Sequence, residues 1–197
     1  MQIVFATNNQ HKLSEIKRII PERFTLLGLA DINIFEDIPE EADNLSDNAL
    51  EKVRFVHNRT GMNVFADDTG LEVEALGMRP GVYSARYAGE GCSFTDNMDK
   101  LLNEMEGIEK REARFRTVIA LILDGKEYLF EGTVNGEITK GKSGSSGFGY
   151  DPIFISEGMK RTFAEIDPEL KNRISHRGKA AEKLITFLDN YNQQSQG

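Results

Sequence analysis

A mixed α/β fold is what this sequence predicts, and three observations carry it. Ile3-Val4-Phe5-Ala6 is a short apolar run that passes through a polar turn into residues with Leu13, Ile16 and Ile20 on one helical face, the pattern of a buried strand followed by an amphipathic helix. Residues 115–123 are the strongest strand signal of the chain, and Asp124-Gly125 turns them into a second run over 126–134, as in an antiparallel hairpin. Ala180, Leu184, Phe187, Leu188 and Tyr191 form one stripe near the end, a closing helix. A hairpin added to strand–helix units makes the sheet mixed rather than purely parallel.

Between these landmarks the chain reads in order. Leu26-Leu27-Gly28-Leu29 suggests a second strand, and an acidic loop over 38–43 follows. A helix is predicted from about Leu45 to Arg59, capped by Asn44 or Ser46 and stopped at Gly61. Val64-Phe65-Ala66 reads as a buried strand that ends in Asp67-Asp68-Thr69-Gly70, and Leu71-Glu72-Val73 alternates like an exposed one. Residues 75–81 form a Gly- and Pro-punctuated loop. Phe94, Met98, Leu101, Leu102 and Met105 then mark a helix whose stripe is core. Asn135-Gly136 is predicted as a turn, Asp167-Pro168 as a helix start, and residues 192–197 as a fraying end. No internal repeat or linker interrupts residues 1–197, which are expected to form a single domain.

Composition bounds the function. The 197 residues are 39% hydrophobic with a net charge of -8; an acidic balance of this size argues against general affinity for a nucleic-acid backbone. Cys92 is the only cysteine, so neither an internal disulfide nor a cysteine zinc site is available. The first residues lack the basic start of a signal peptide and no apolar run reaches membrane-spanning length. The expectation is a soluble, cytoplasmic protein.

Three stretches carry candidate chemistry. Asp67-Asp68, at the mouth of a strand, offers hard oxygen ligands to a divalent metal, typically magnesium (Mg2+); an exposed strand end closed by an Asx-type turn fits the same residues. Glu40, in the acidic loop, is a candidate third carboxylate. Thr7-Asn8-Asn9 with Lys12 lies at a strand-to-helix turn, where backbone N–H groups and the helix dipole favour an anion; taken alone, the stretch reads more readily as an ordinary capped helix. The 141–152 stretch, Gly-Lys-Ser-Gly-Ser-Ser-Gly-Phe-Gly-Tyr-Asp-Pro, sets an aromatic between glycines that allow close backbone approach and reads as a binding loop rather than a linker. Lys171, His176 and Arg177 cluster donors where the last helix begins.

These residues fall into five motifs: Thr7-Asn8-Asn9-x-x-Lys12, Ala66-Asp67-Asp68-Thr69-Gly70-Leu71, Pro80-Gly81-Val82-Tyr83-Ser84-Ala85-Arg86-Tyr87, Gly147-Phe148-Gly149-Tyr150-Asp151-Pro152 and Ser175-His176-Arg177. In order and in coverage of the chain they resemble the inosine triphosphate pyrophosphatase family, which clears deaminated purine nucleotides. The resemblance implies an elongated mixed sheet flanked by helices, two lobes with a central active-site cleft, and a homodimer. It implies magnesium-dependent hydrolysis of purine triphosphates (ITP, dITP, XTP) between the α and β phosphates. It implies Asp68 as the acid that holds magnesium and acts as, or positions, the general base, with Asp67 and Glu40 as further metal carboxylates. Thr7, Asn8, Asn9, Lys12, Thr69 and Lys171 fall where the family binds phosphate and sugar; Phe148, Gly149, Tyr150, Asp151, His176 and Arg177 fall where it binds the base. The chain departs from some members at Asn8, where they carry glycine. A Maf-type pyrophosphatase, a nucleotide sensor without turnover and an RNA-binding module are the rival readings, and the motifs, the intact acids and the acidic charge respectively speak against them.

Overall fold

In the computed structural model, which describes residues 1–194, the apolar runs become strands β1 (Gln2–Phe5), β2 (Thr25–Leu27), β3 (Val64–Val73), β4 (Arg79–Gly81), β5 (Glu112–Leu123), β6 (Lys126–Ile138) and β7 (Phe154–Ser156). The amphipathic stretches become α1 (Gln10–Ile19), α2 (Leu45–Thr60), α3 (Phe94–Glu104), α4 (Pro168–Ile174) and α5 (His176–Gln194). Sheet order is β2-β1-β3-β5-β6-β7, with β4 on β3. β1 runs parallel to β2 and β3, whereas β4 and β7 pair antiparallel with β3 and β6. The mixed α/β class is therefore as the sequence predicts. Asp124 and Gly125 both take positive φ, 48° and 75°, the backbone a two-residue hairpin turn demands. Among the described residues no helix is long and apolar enough to cross a membrane.

The contacts divide the chain into two units. The first comprises Met1–Asp68, Thr117–Gly132 and the segment from Arg177; the second comprises Thr69–Arg116 and Thr133–His176. In the first, Ile3 and Phe5 of β1, Phe65 of β3 and Ile119, Leu121 and Leu123 of β5 pack with Ile16 of α1 and Ala180, Leu184 and Leu188 of α5. The Phe5 and Phe65 rings stack at 4.6 Å. In the second, Leu71, Val73, Met98, Leu101, Phe115, Phe154 and Phe163 form the centre of a separate core.

Three sequence expectations change. β3 does not stop at Ala66 but runs without a break through the two acids to Val73, and its end is buried, not exposed, because Arg114 meets Glu72 at 2.5 Å and offsets its charge. Asn135-Gly136 is no turn. It lies inside β6, where Gly136 pairs with Ser156 of β7 and a Cβ would stand 2.1 Å from the Ile155 carbonyl oxygen. α5 continues to Gln194; residues 195–197, the rest of the stretch predicted to fray, lie outside the described residues.

Candidate active site

β3 delivers Asp67 and Asp68 side by side, and strand geometry sends consecutive side chains to opposite faces. Their partners follow that rule. Asp67 meets Lys12 of α1 at 3.1 Å and Arg177 at the start of α5 at 2.9 Å. Asp68 meets α2 instead, accepting from Asn48 Nδ2 at 3.0 Å and lying 3.4 Å from Lys52 Nζ. The two acids thus belong to two sub-clusters and are not arranged as one chelating pair. Lys52 links them, donating to the Asp67 carbonyl oxygen at 2.7 Å and to Glu40 Oε1 at 2.9 Å. Arg177 also pairs with Glu15 of α1.

Burial and charge set the protonation of this group. Burial alone would raise the Asp67 carboxyl, but Lys12, Arg177 and Lys52 outweigh it and hold Asp67 well below the usual carboxylate range. Asp68 goes the other way: burial lifts it above its ordinary value, and Lys52 and Lys12 compensate only in part. Burial opposes the Lys52 ammonium, yet Asp68, Glu40 and Asp67 together raise it. Asp68 is thus a buried acid whose ionised form a further cation close by would favour. Among the described residues no three His, Cys, Asp or Glu side chains gather into a cage for a metal. Magnesium does not need one: it is commonly held by one or two carboxylates with waters and substrate phosphates, and Asp68 and Glu40, which share Lys52, offer such a pair.

The turn before α1 is a capped helix. The Asn9 side chain accepts from the His11 and Lys12 N–H groups at 3.0 and 3.2 Å, so these first-turn donors already serve the cap. Thr7 Oγ1 accepts from the Asn9 N–H at 3.1 Å, and Asn8, exposed, reaches the Glu36 carbonyl oxygen at 3.4 Å. What this turn offers an anion is therefore chiefly the Lys12 ammonium and the side chains of Thr7 and Asn8.

The second unit holds the remaining predicted residues. Asp151 is buried and accepts from the Phe148 N–H at 2.8 Å and from Lys171 Nζ at 2.6 Å. The same ammonium lies 5.1 Å from the centre of the Phe148 ring. Gly147 makes this fold of the loop possible: its φ is +76°, and a Cβ there would stand 2.1 Å from Asp151 Oδ2. Gly147→Ala is expected to lower stability by about 1–3 kcal/mol through overpacking and an unfavourable φ; an unchanged thermal midpoint would contradict the contact. Tyr150 is buried in the core and donates to the Ser84 carbonyl oxygen at 2.9 Å, so its hydroxyl ties two motifs together. His176 is also buried, stacked on Phe115 at 4.5 Å. Thr69 is partly buried and opens the second half of β3, while Gly149 takes a φ of 64°. In the Pro80–Tyr87 motif, Ser84 Oγ donates to the Gly81 carbonyl and accepts from the Leu71 N–H.

Sequence reading missed Asn48, Lys52 and Glu15. A signal for the first two was present. Leu45, Ala49, Val53 and Val56 are the buried apolar stripe of α2, and Asn48 and Lys52 fall in the same phase; polar residues at core positions of a helix must find partners.

With this geometry in hand, the likeness to known proteins is specific. The sequence model of the Ham1 family matches residues 3–187. The chain is 54% identical to the dITP/XTP pyrophosphatase of Flavobacterium johnsoniae, over 95% of this chain and 98% of that protein. It is 53% identical to the one from Porphyromonas gingivalis, over 95% and 97%. Among solved structures, the Staphylococcus aureus Ham1 protein superposes with a TM-score of 0.88 at 41% identity, covering 97% of this chain and all of that one (100%). A HAM1 protein from Coxiella burnetii gives 0.89 at 37% identity, over 96% and 99%.

Proposed function

This chain belongs to the Ham1 family, and on that premise we propose that it is a nucleoside triphosphate pyrophosphatase that hydrolyses ITP, dITP and XTP to the monophosphate and pyrophosphate. The observation that carries the reading is the buried acid Asp68 set beside Lys52 and Glu40, with Lys12 and Arg177 on the neighbouring Asp67. Such a group suits a polyanion that arrives with a divalent cation.

The bond that forms joins a water oxygen to the α-phosphorus, and the α–β anhydride bond breaks as pyrophosphate leaves with the electron pair. Asp68 orients that water and takes its proton, a role that needs a carboxylate within hydrogen-bond reach. Lys12 and Lys52 offset the charge that builds on the phosphates. Asp68 and Glu40 would hold magnesium, with Asp67 acting on the same group through Lys12 and Lys52; the ion, when bound, neutralises phosphate charge and lowers the pKa of water. Thr7, Asn8, Asn9 and Thr69 serve phosphate and sugar, as does Lys171.

Base choice is assigned to Phe148, Gly149, Tyr150, Asp151, His176 and Arg177. Phe148 supplies a stacking face, and Asp151 with Lys171 fixes its backbone. Inosine and xanthosine present an acceptor oxygen at the purine 6-position, where adenine presents a donor amino group. Donors aimed there satisfy the oxygen and leave adenine mispaired, the kind of polar mismatch that discriminates strongly. Arg177→Ala is expected to raise the KM for ITP and to erode the preference over ATP by about 10-fold or more. An unchanged ratio of kcat/KM for the two would remove Arg177 from base reading and leave it as the partner of Asp67 and Glu15. The protein is further assigned to the cytoplasm as a homodimer.

Hydrolysis of ITP in ¹⁸O-labelled water tests the reaction itself. Label in the monophosphate supports attack at the α-phosphorus; label in pyrophosphate would overturn it.

A further inference from the structure

Asn48 is the fourth residue of α2, 1% exposed, on a face otherwise lined by Leu45, Ala49 and Val53. Asn is a weaker helix former than alanine or leucine, and a buried amide is tolerated only when both of its ends are bonded. Both are. Asn48 Oδ1 accepts from the Ala42 N–H at 2.9 Å, and Nδ2 donates to Asp68 Oδ2 at 3.0 Å. The two ends are not interchangeable. A backbone N–H only donates, so the amide oxygen must face Ala42 and the NH₂ must face Asp68. That orientation pins one oxygen of Asp68 as an acceptor and turns the other, Oδ1, toward Lys52 at 3.4 Å.

The same side chain also holds the loop that carries Glu40. Ala42 lies two residues beyond Glu40, and Lys52, one helical turn after Asn48, meets Glu40 and Asp68 alike. Asn48 and Lys52 thus form a buried rung pair on one face of α2. Lysine supplies charge to the two acids; asparagine supplies direction.

We infer that Asn48 is a positioning residue for the reaction: through its oriented amide it fixes which oxygen of Asp68 is presented and ties Glu40 to the same geometry. This rests on the assignment of Asp68 and Glu40 above. Outer-shell partners of this kind typically carry about 10–100-fold in activity or metal affinity.

The test uses Asn48→Ala and Asn48→Ser, neither of which spans Ala42 and Asp68, with Asp68→Asn alongside. Each folded variant is read by kcat and KM for ITP and by binding of Mn2+ alone, followed by electron paramagnetic resonance. Positioning is expected to give a kcat fall of about 10–100-fold, KM within about threefold, and Mn2+ binding weakened to a similar degree. Should Asn48→Ala fail to fold, Asn48→Ser carries the comparison. Wild-type kcat and wild-type Mn2+ affinity in either folded Asn48 variant, with Asp68→Asn inactive, would overturn the role of Asn48 and leave the assignment of Asp68 standing. An active Asp68→Asn would overturn that assignment first.

Discussion

Asp68→Asn is expected to leave a folded protein that no longer hydrolyses ITP, with kcat reduced by about 10³-fold or more. The substitution keeps shape and volume, and residue 68 still offers an oxygen to the Asn48 amide. Two things change. The site loses the carboxylate that takes the proton from water, and Lys52 faces an amide where it faced a negative oxygen 3.4 Å away. Stability is expected to hold or rise, because burial already disfavours the ionised Asp68 carboxyl and a neutral isostere escapes that penalty. Steady-state pyrophosphate release and thermal unfolding measure the two halves. Near-normal turnover would sink the assignment of Asp68; a large loss of stability would mean that the acid serves the fold.

Lys52→Met should behave in the opposite way on stability. Lys52 is 3% exposed and donates to Glu40, to Asp68 and to the Asp67 carbonyl. Methionine fills much of the same space but leaves Asp68 buried beside no ammonium from α2. Removing one partner of a buried ion pair typically costs about 3–5 kcal/mol, since the other charge is left uncompensated. Activity is expected to fall with it. Denaturant unfolding of the variant measures this, and a midpoint equal to that of the parent would show that Lys52 does not hold the acids in place.

Much of the fold could be read locally. The Asp124-Gly125 turn, the Asn44 cap and the Gly61 stop of α2, and the stripe of α5 all announce themselves within a few residues, because turn geometry and helical period are short-range properties. β3 was harder. Two acids in a buried strand look like its end, and what permits them to stay inside comes from far away: Lys12 is 55 residues from Asp67 and Arg177 is 110. No local pattern encodes such compensation. The same distance hid the separation of Asp67 from Asp68, although strand alternation alone already places neighbours on opposite faces.

The site was legible unevenly. Asp151, Phe148 and Lys171 were singled out by composition, and they do meet. Tyr150 was marked for the same reason, yet its hydroxyl holds the Ser84 carbonyl. Asn48 and Lys52 were readable from helical phase, as polar residues within an apolar stripe. The nature of the substrate was not readable from period or charge at all; it came from the five motifs taken together, and relatives named dITP/XTP pyrophosphatases agree with it.

The most direct measurement is pyrophosphate release from ITP, dITP, XTP, GTP and ATP, each with magnesium and with a chelator. The expected result is rapid, magnesium-dependent release from the first three and little from GTP or ATP. Equal release from ATP would contradict selection at the purine 6-position, and no release from any of the five would contradict the enzyme reading itself.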